Sequence, residues 1–243
     1  MNDAATSTAA IWHDAENGAY SADLALWEEL AGEAGGPVLD LGCGTGRVAL
    51  HLARRGHATV GLDLDPELIA ALAERAQGLP LRAYLGDAQR FELEEEIALA
   101  LGPMQLMQLL AGSEERVESL ACIAAHLAPG GRVALAIVEG LPAEPEGPPP
   151  LPDVREVDGW VYSSLPVDAV DIGEEIVILR LRQTVSPAGE LSEERNEIRI
   201  RTLAAEQLER EAVAAGLAPL GRRPIAPTYL HVGSTVVLLG KES

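Results

Sequence analysis

The chain has 243 residues, 47% of them hydrophobic and 23% charged, the balance of an ordinary globular protein with one sizeable core rather than of a disordered or fibrous one. Its 38 acidic residues against 18 Lys and Arg give a net charge of −20, which argues against a nucleic-acid partner, because backbone binding depends on Lys and Arg displacing counterions. The single lysine, Lys241, argues against a buried catalytic lysine, and the want of a bilayer-length apolar run or a signal-peptide pattern predicts a cytoplasmic protein with no membrane partner.

From residue 21 onward helical and extended patterns alternate, as they do where helices cover both faces of a parallel sheet. Leu24, Trp27 and Leu30 form an apolar stripe after Ser21, followed by the strand PVLDL at 37–41. A helix is expected from Thr45 to Arg54, closed by Arg55 and Gly56, then the strand ATVGLD at 58–63. Asp65 and Pro66 make an N-cap and first-turn pair for a helix ending at Gly78. Short strands at 81–85 and 97–101, a helix from Ser113 to about Leu127, a PGG break and a buried strand at 132–138 complete five βα units.

LPAEPEGPPPLP at 141–152 can hold neither a helix nor a central strand and marks a boundary. Beyond it, VREVDGWVYSSLPV, EEIVILRLRQTV and NEIRIRTL predict about three antiparallel strands. A last helix near 203–215 and strands near 217–226 and 234–240 return to the main sheet. Residues 1–140 and 202–243 are thus one α/β domain, doubly wound on a mostly parallel sheet of about seven strands, and 141–201 are an antiparallel β insertion. Cys43 and Cys122 have no metal or disulfide spacing and read as free thiols.

Chemistry concentrates in VLDLGCGTGR at 38–47, where Gly42, Gly44 and Gly46 lie between a strand and a helix and let a ligand approach the backbone. A dinucleotide loop needs glycine where Arg47 stands, and a phosphate loop needs a lysine that is absent. Asp40, Asp63 and Asp87 fall at or just beyond strand carboxyl ends, and three carboxylates favour a cationic ligand over a pyrophosphate. Taken singly, Asp63 also reads as a helix-flanking acid and Asp87 as a turn former.

VLDLGCGTGR, VGLDLDPELIAAL and YLGDAQRFEL, in this order and spacing, resemble three successive motifs of the class I S-adenosylmethionine-dependent methyltransferases, and HLAPGGRVALAIVEG resembles the family's fifth-strand segment. The resemblance covers residues 20–139 well and the C-terminal elements loosely. It implies a Rossmann-like fold and S-adenosylmethionine as cofactor. Gly42, Gly44 and Gly46 would cradle the methionine portion, Asp63 the ribose hydroxyls and Asp87 the adenine amino group, with the Ala88 backbone beside the ring and Leu64 among the cofactor contacts. Asp40 would steady the loop and the ammonium, Tyr20 would close over the methionine end, and Gly102 would complete the set. Simple packing is the other reading of Tyr20.

The segment GPMQLMQLL at 102–110 departs from the Asn-Pro-Pro-Tyr pattern of relatives that methylate bases or glutamine. Pro103, Met104 and Gln105 are expected near the sulfonium, with Met107, Leu109 and Leu110 in the core; helix packing throughout is the alternative. The insertion resembles a lid of small-molecule enzymes, with Trp160, Tyr162 and Arg180 or Arg182 as substrate contacts; its alternative is a homodimer surface. His231, with Tyr229 in the last turn, is a candidate proton acceptor. In-line methyl transfer works largely by positioning, so a dedicated base is optional and no catalytic side chain is assigned. The expected acceptor is a small molecule. A cofactor-binding regulatory module and, against Arg47, an NAD-dependent oxidoreductase are the competing readings.

Overall fold

The computed structural model describes residues 7–141, 150–228 and 231–241. Most of the proline-rich connection, residues 142–149, and Tyr229 therefore lie outside the described residues. In chain order the first half contains α1 (Thr8–Asn17), α2 (Leu24–Ala34), β1 (Val38–Leu41), α3 (Arg47–Arg54), β2 (Thr59–Asp63), α4 (Pro66–Arg75) and β3 (Leu81–Leu85). There follow β4 (Ile97–Gly102), α5 (Leu106–Leu109), α6 (Ser113–His126) and β5 (Leu127–Ile137). Then come β6 (Asp153–Val157), β7 (Trp160–Asp171), β8 (Glu175–Val185), β9 (Leu191–Arg201), α7 (Ala205–Ala214), β10 (Leu217–Ile225) and β11 (Ser234–Lys241).

Seven strands form one sheet in the order β10-β11-β5-β4-β1-β2-β3, parallel from β5 to β3 and antiparallel at β11 and β10. This is the Rossmann-like methyltransferase architecture expected above. Alternation along β1 sends Leu39 and Leu41 to a core shared with α6 and α7, and Val38 to one shared with α2 and α3. All four β1 residues are buried, as a central strand covered on both faces requires. Asp65 caps α4 by accepting the N–H groups of Glu67 (2.8 Å) and Leu68 (3.4 Å). The strand order reverses between β1 and β4, and ligands of such sheets bind in the crevice at that point.

The second sheet runs β6-β7-β8-β9, all antiparallel. It has four strands rather than the expected three because Asp158 and Gly159, at φ 52° and 79°, turn the first segment back on itself. Asp-Gly with positive φ at both positions is the tight hairpin turn that matches strand twist. Three further differences have local causes. The PGG stretch does not precede the fifth strand but is its irregular start, since β5 begins at Leu127, directly after α6. The other two are α1, which the hydrophobic pattern did not announce, and α5, which takes up part of the helical alternative at 102–110.

Helix α1 joins the two sheets. Ser7 caps it through Ala10 N–H at 3.2 Å, and Trp12 meets Tyr162 of β7 edge to face, with ring centroids 5.1 Å apart. Glu16 accepts both Arg182 donors at 2.7 and 2.8 Å, and the Ser164 hydroxyl at 2.7 Å. Gln108 makes a second join. Its amide donates to the carbonyls of Val138 and Arg201 (3.0 and 2.7 Å) and accepts from Val138 N–H (2.8 Å), fixing the chain where it leaves the main sheet and where it comes back.

Candidate active site

A cavity of about 750 Å³ opens at the carboxyl ends of the parallel strands, between the two sheets. Tyr20, Asp40, Gly42, Asp63, Leu64, Asp87, Ala88, Pro103, Met104 and Gln105 all line it, drawn from the ends of β1, β2, β3 and β4 and from the segment before α2. Gly44, Gly46, Gly102, Trp160 and Tyr162 do not.

The three glycines of the loop have different tasks. Gly42 faces the cavity, with the Leu106 side chain 2.9 Å from where a Cβ would stand. At Gly44, φ is +54° and a Cβ would lie 2.1 Å from His13 Nε2, so its missing side chain admits the imidazole of α1 rather than a ligand. Gly46, at φ +94°, leaves room for Leu72 of α4, and Gly102 leaves room for Leu135 of β5. Sequence marks where backbone must be bare but not what approaches it.

Asp63 closes the loop from the next strand, its two carboxylate oxygens accepting Gly44 N–H at 2.8 Å and Asp65 N–H at 3.0 Å. Each oxygen keeps a further lone pair for a ligand hydroxyl. Leu64 beside it is 69% exposed, an apolar surface at the cavity wall suited to a flat ring. Asp87 accepts Gln89 N–H at 2.9 Å.

Asp40 is 1% exposed at the head of the glycine loop. One oxygen accepts Ala49 N–H at 2.9 Å, while Oδ1 has no hydrogen-bond partner among the described residues. Burial pushes its carboxyl up to about 7, with Arg47 and the Ala49 amide pulling the other way. An orphaned buried carboxylate oxygen on a ligand cavity is costly alone and suits a cationic group of the ligand. The donor set therefore fits S-adenosylmethionine: acids at two strand ends, an apolar shelf and an unpaired carboxylate.

Several lining residues were not singled out from sequence as ligand contacts. Arg47, used above only as evidence against a dinucleotide loop, binds Asp23 through two bonds of 2.6 and 2.7 Å and the Tyr20 carbonyl at 3.0 Å, with its guanidinium 5.1 Å from the Tyr20 ring centre. It thereby fixes Tyr20 over the loop. His13, also at the cavity wall, is held by Thr45 Oγ1 at 3.2 Å, and burial lowers its pKa. Met104 and Gln105 both have positive φ, 52° and 65°, a strained turn that swings Leu106 against Gly42. Leu109, expected in the core with Met107 and Leu110, is instead 57% exposed and lines the cavity.

Trp160 and Tyr162 line a separate groove of about 370 Å³ with Trp12, Glu193 and Glu194. They sit on the half of the insertion that packs on α1, whereas the half over the cavity presents Ile176, Ile178, Ile198, Ile200 and Arg180. Cys43 and Cys122 are free thiols, the former buried, and no helix among the described residues is long and apolar enough to cross a membrane.

Residues 38–131 match the family model described as a methyltransferase domain. A ribosomal protein L11 methyltransferase of Xanthomonas campestris pv. campestris is 37% identical over 118 residues, 46% of this chain and 37% of that protein. An S-adenosyl-L-methionine-dependent Diels-Alderase of Talaromyces variabilis is 35% identical over 116 residues, 46% of this chain and 40% of the relative. The chain thus spans well under half the length of either. Among solved structures, the S-adenosylmethionine-bound amino pentose methyltransferase CalS10 of Micromonospora echinaspora superposes with a TM-score of 0.71, covering 95% of this chain and 96% of that one at 20% identity, a likeness of fold. The glycine loop, the strand-end acids and the strand order are all in place: residues 38–131 are similar to the methyltransferase domain family, and the chain has the fold of the S-adenosylmethionine-dependent methyltransferases.

Proposed function

We propose that this protein transfers the methyl group of S-adenosylmethionine to a small-molecule acceptor that enters between the two sheets. One observation carries the reading: a single cavity has strand-end acids at one end and the inner face of the second sheet at the other. A cofactor and a small acceptor can meet there, whereas a folded protein surface cannot enter between two sheets. When bound, S-adenosylmethionine supplies an electrophilic methyl group on a sulfonium. Asp63 would hold the ribose, Asp87 with Leu64 and Ala88 the adenine, and Asp40 the ammonium, while Tyr20 and Met104 bound the methyl end. The protein's contribution is orientation, which alone supplies effective molarities up to ~10⁵ to 10⁸ M.

Residues 141–201 serve in this reading as the acceptor-binding lid; joining two copies is the alternative role, and sedimentation of the purified chain separates them. S-adenosylmethionine and S-adenosylhomocysteine should raise the melting temperature, by about 2.7 kcal/mol of stabilisation at about 100 times Kd, where NAD does not. An acceptor panel scored by S-adenosylhomocysteine release then tests transfer. The resemblance to a protein named as a Diels-Alderase favours one second reading, a bound cofactor that is never consumed. Release of S-adenosylhomocysteine with any acceptor rejects it.

A further inference from the structure

The cavity changes character across the point where the strand order reverses. Toward β2 and β3 its walls are Asp63 and Asp87. Toward β4, β5 and β11 its roof is Ile176, Ile178, Ile198 and Ile200, paired as Ile176 with Ile200 and Ile178 with Ile198 on one face of β8 and β9, and Leu110 and Val138 also border it. Among the described residues, the carboxylates lining this end are already engaged. Glu16 holds Arg182 at 2.7 and 2.8 Å, Asp153 holds Arg180 at 2.5 Å, and Asp23 holds Arg47 at 2.6 and 2.7 Å. Asp40 keeps an unpaired oxygen, but it is buried at the glycine loop, where the cofactor's own ammonium is assigned. A substrate ammonium under the isoleucines would find no carboxylate of its own among the described lining residues, and an unpaired buried cation is costly.

Among the described residues lining this end, His231 is an imidazole outside any ion pair and outside the loop. His231 precedes β11 by three residues, and β11 runs antiparallel to β5 with Thr235 opposite Ile137, so its start lies at the carboxyl edge of the parallel strands. The half-buried imidazole packs on Tyr20, with ring centres 4.6 Å apart, and Tyr20 rests on Arg47 beside the glycine loop. Its Nδ1 lies 3.3 Å from Thr228 Oγ1, and Nε2 has no hydrogen bond among the described residues. His13, the other imidazole on the cavity, is instead tied to Thr45 and lodged against Gly44.

Resting on the methyltransferase reading above, we propose that the acceptor is a neutral, largely apolar molecule presenting a phenol-like hydroxyl, and that His231 takes the proton of that hydroxyl during transfer. In the step, the acceptor O–H bond breaks and its proton passes to His231 Nε2. The freed oxygen pair forms the O–CH₃ bond, and the S–CH₃ bond breaks with its pair kept by sulfur. S-adenosylhomocysteine, the methyl ether and an imidazolium result, and the imidazolium then loses its proton to solvent. Burial lowers the pKa of His231; Arg180 and Arg47 act in the same direction, and Asp153 and Asp23 oppose. The ring is therefore a neutral acceptor near pH 7. A phenol, ionising near pH 10 like tyrosine, is within reach of such a base.

Two probes of matched shape test the acceptor class, 4-butylphenol and the cationic 4-butylbenzylamine, titrated calorimetrically into protein saturated with S-adenosylhomocysteine at pH 8. The phenol is expected to bind at least about tenfold tighter, and Ile178→Glu to erase the preference. His231→Gln should leave phenol binding nearly unchanged but lower kcat for 4-butylphenol by about 100-fold or more. The same variant should methylate 4-nitrophenol, already ionised at pH 8, as fast as the wild type, which a merely structural role would not permit. Equal or tighter binding of the amine, or no binding of the phenol, overturns the acceptor class. An equal loss on both phenols, or binding without turnover in the wild type, overturns the role of His231. Failure of S-adenosylhomocysteine itself to bind would instead sink the cofactor reading, and it is measured first.

Discussion

Asp40 makes cofactor affinity depend on pH. Its buried carboxyl titrates at about 7 in the ligand-free protein and has one oxygen without a partner. If the ligand's ammonium becomes that partner, binding requires the ionised form. At pH 8 most molecules are ready; at pH 6 about one in ten is, and affinity for S-adenosylhomocysteine should be about tenfold weaker, 1.4 kcal/mol for each pH step below 7. Calorimetry at pH 6 and 8 in two buffers of different protonation enthalpy measures both affinity and protons released, with about one proton lost per ligand at pH 6 and almost none at pH 8. Burial lowers the pKa of His13 and of His231. Asp40→Asn should bind weakly and without the pH dependence. The sign for folding is opposite. The folded-state pKa lies above the unfolded value of 3.8, so ligand-free stability falls as pH rises from about 4 to 7, by about 4 kcal/mol at most. Equal affinity at pH 6 and 8 with no buffer dependence would refute the assignment of Asp40.

Asp63→Ala should weaken cofactor binding by roughly 10-fold to 150-fold by calorimetry, since it frees Gly44 N–H and removes the ribose acceptor, whereas Asp65→Ala loses only an N-cap and about 1 kcal/mol of stability. Gly44→Ala drives a Cβ into His13 and should lower Tm. Adding His13→Ala should return part of the loss, leaving about 1 kcal/mol of left-handed strain. Gln108→Leu strands one amide and two carbonyls, so urea unfolding should register a loss of about 3 kcal/mol, with faster hydrogen exchange at the Val138 amide.

Periodicity and turn chemistry made the main sheet legible. The strands at 38–41, 59–63 and 81–85 lie within a residue of expectation because each is a short apolar run bounded by Gly, Asp or Pro. The acids ending those strands were legible for the same reason: a polar residue closing an apolar strand is placed by the strand. What faces the site from elsewhere was not. His13 and Glu16 meet the cavity through contacts distant in sequence, and no local spacing encodes them, whereas Arg180, one of two arginines expected on the insertion, does line it. Trp160 and Tyr162 were chosen as aromatic residues on an expected lid. Alternation fixed their face but not which end of the sheet covers the cavity. One signal was available and unused: Asp158-Gly159 announces a hairpin and hence the fourth strand.

The bridge made by α1 also sets an order of assembly. Ten residues are too few for a helix to persist alone in water, and its partners Ser164 and Arg182 follow Glu16 by 148 and 166 positions. Nearer partners come first, since Asp14 of α1 accepts Arg75 of α4 at 3.0 and 2.6 Å and the Thr45 hydroxyl at 2.5 Å, and the β7 and β8 partners come later. The main sheet can pair through β5 without them. Until β7 and β8 have formed, α1 is held through His13 and Asp14 alone, and Trp12 and Glu16 on the same helix still lack their partners in the second sheet.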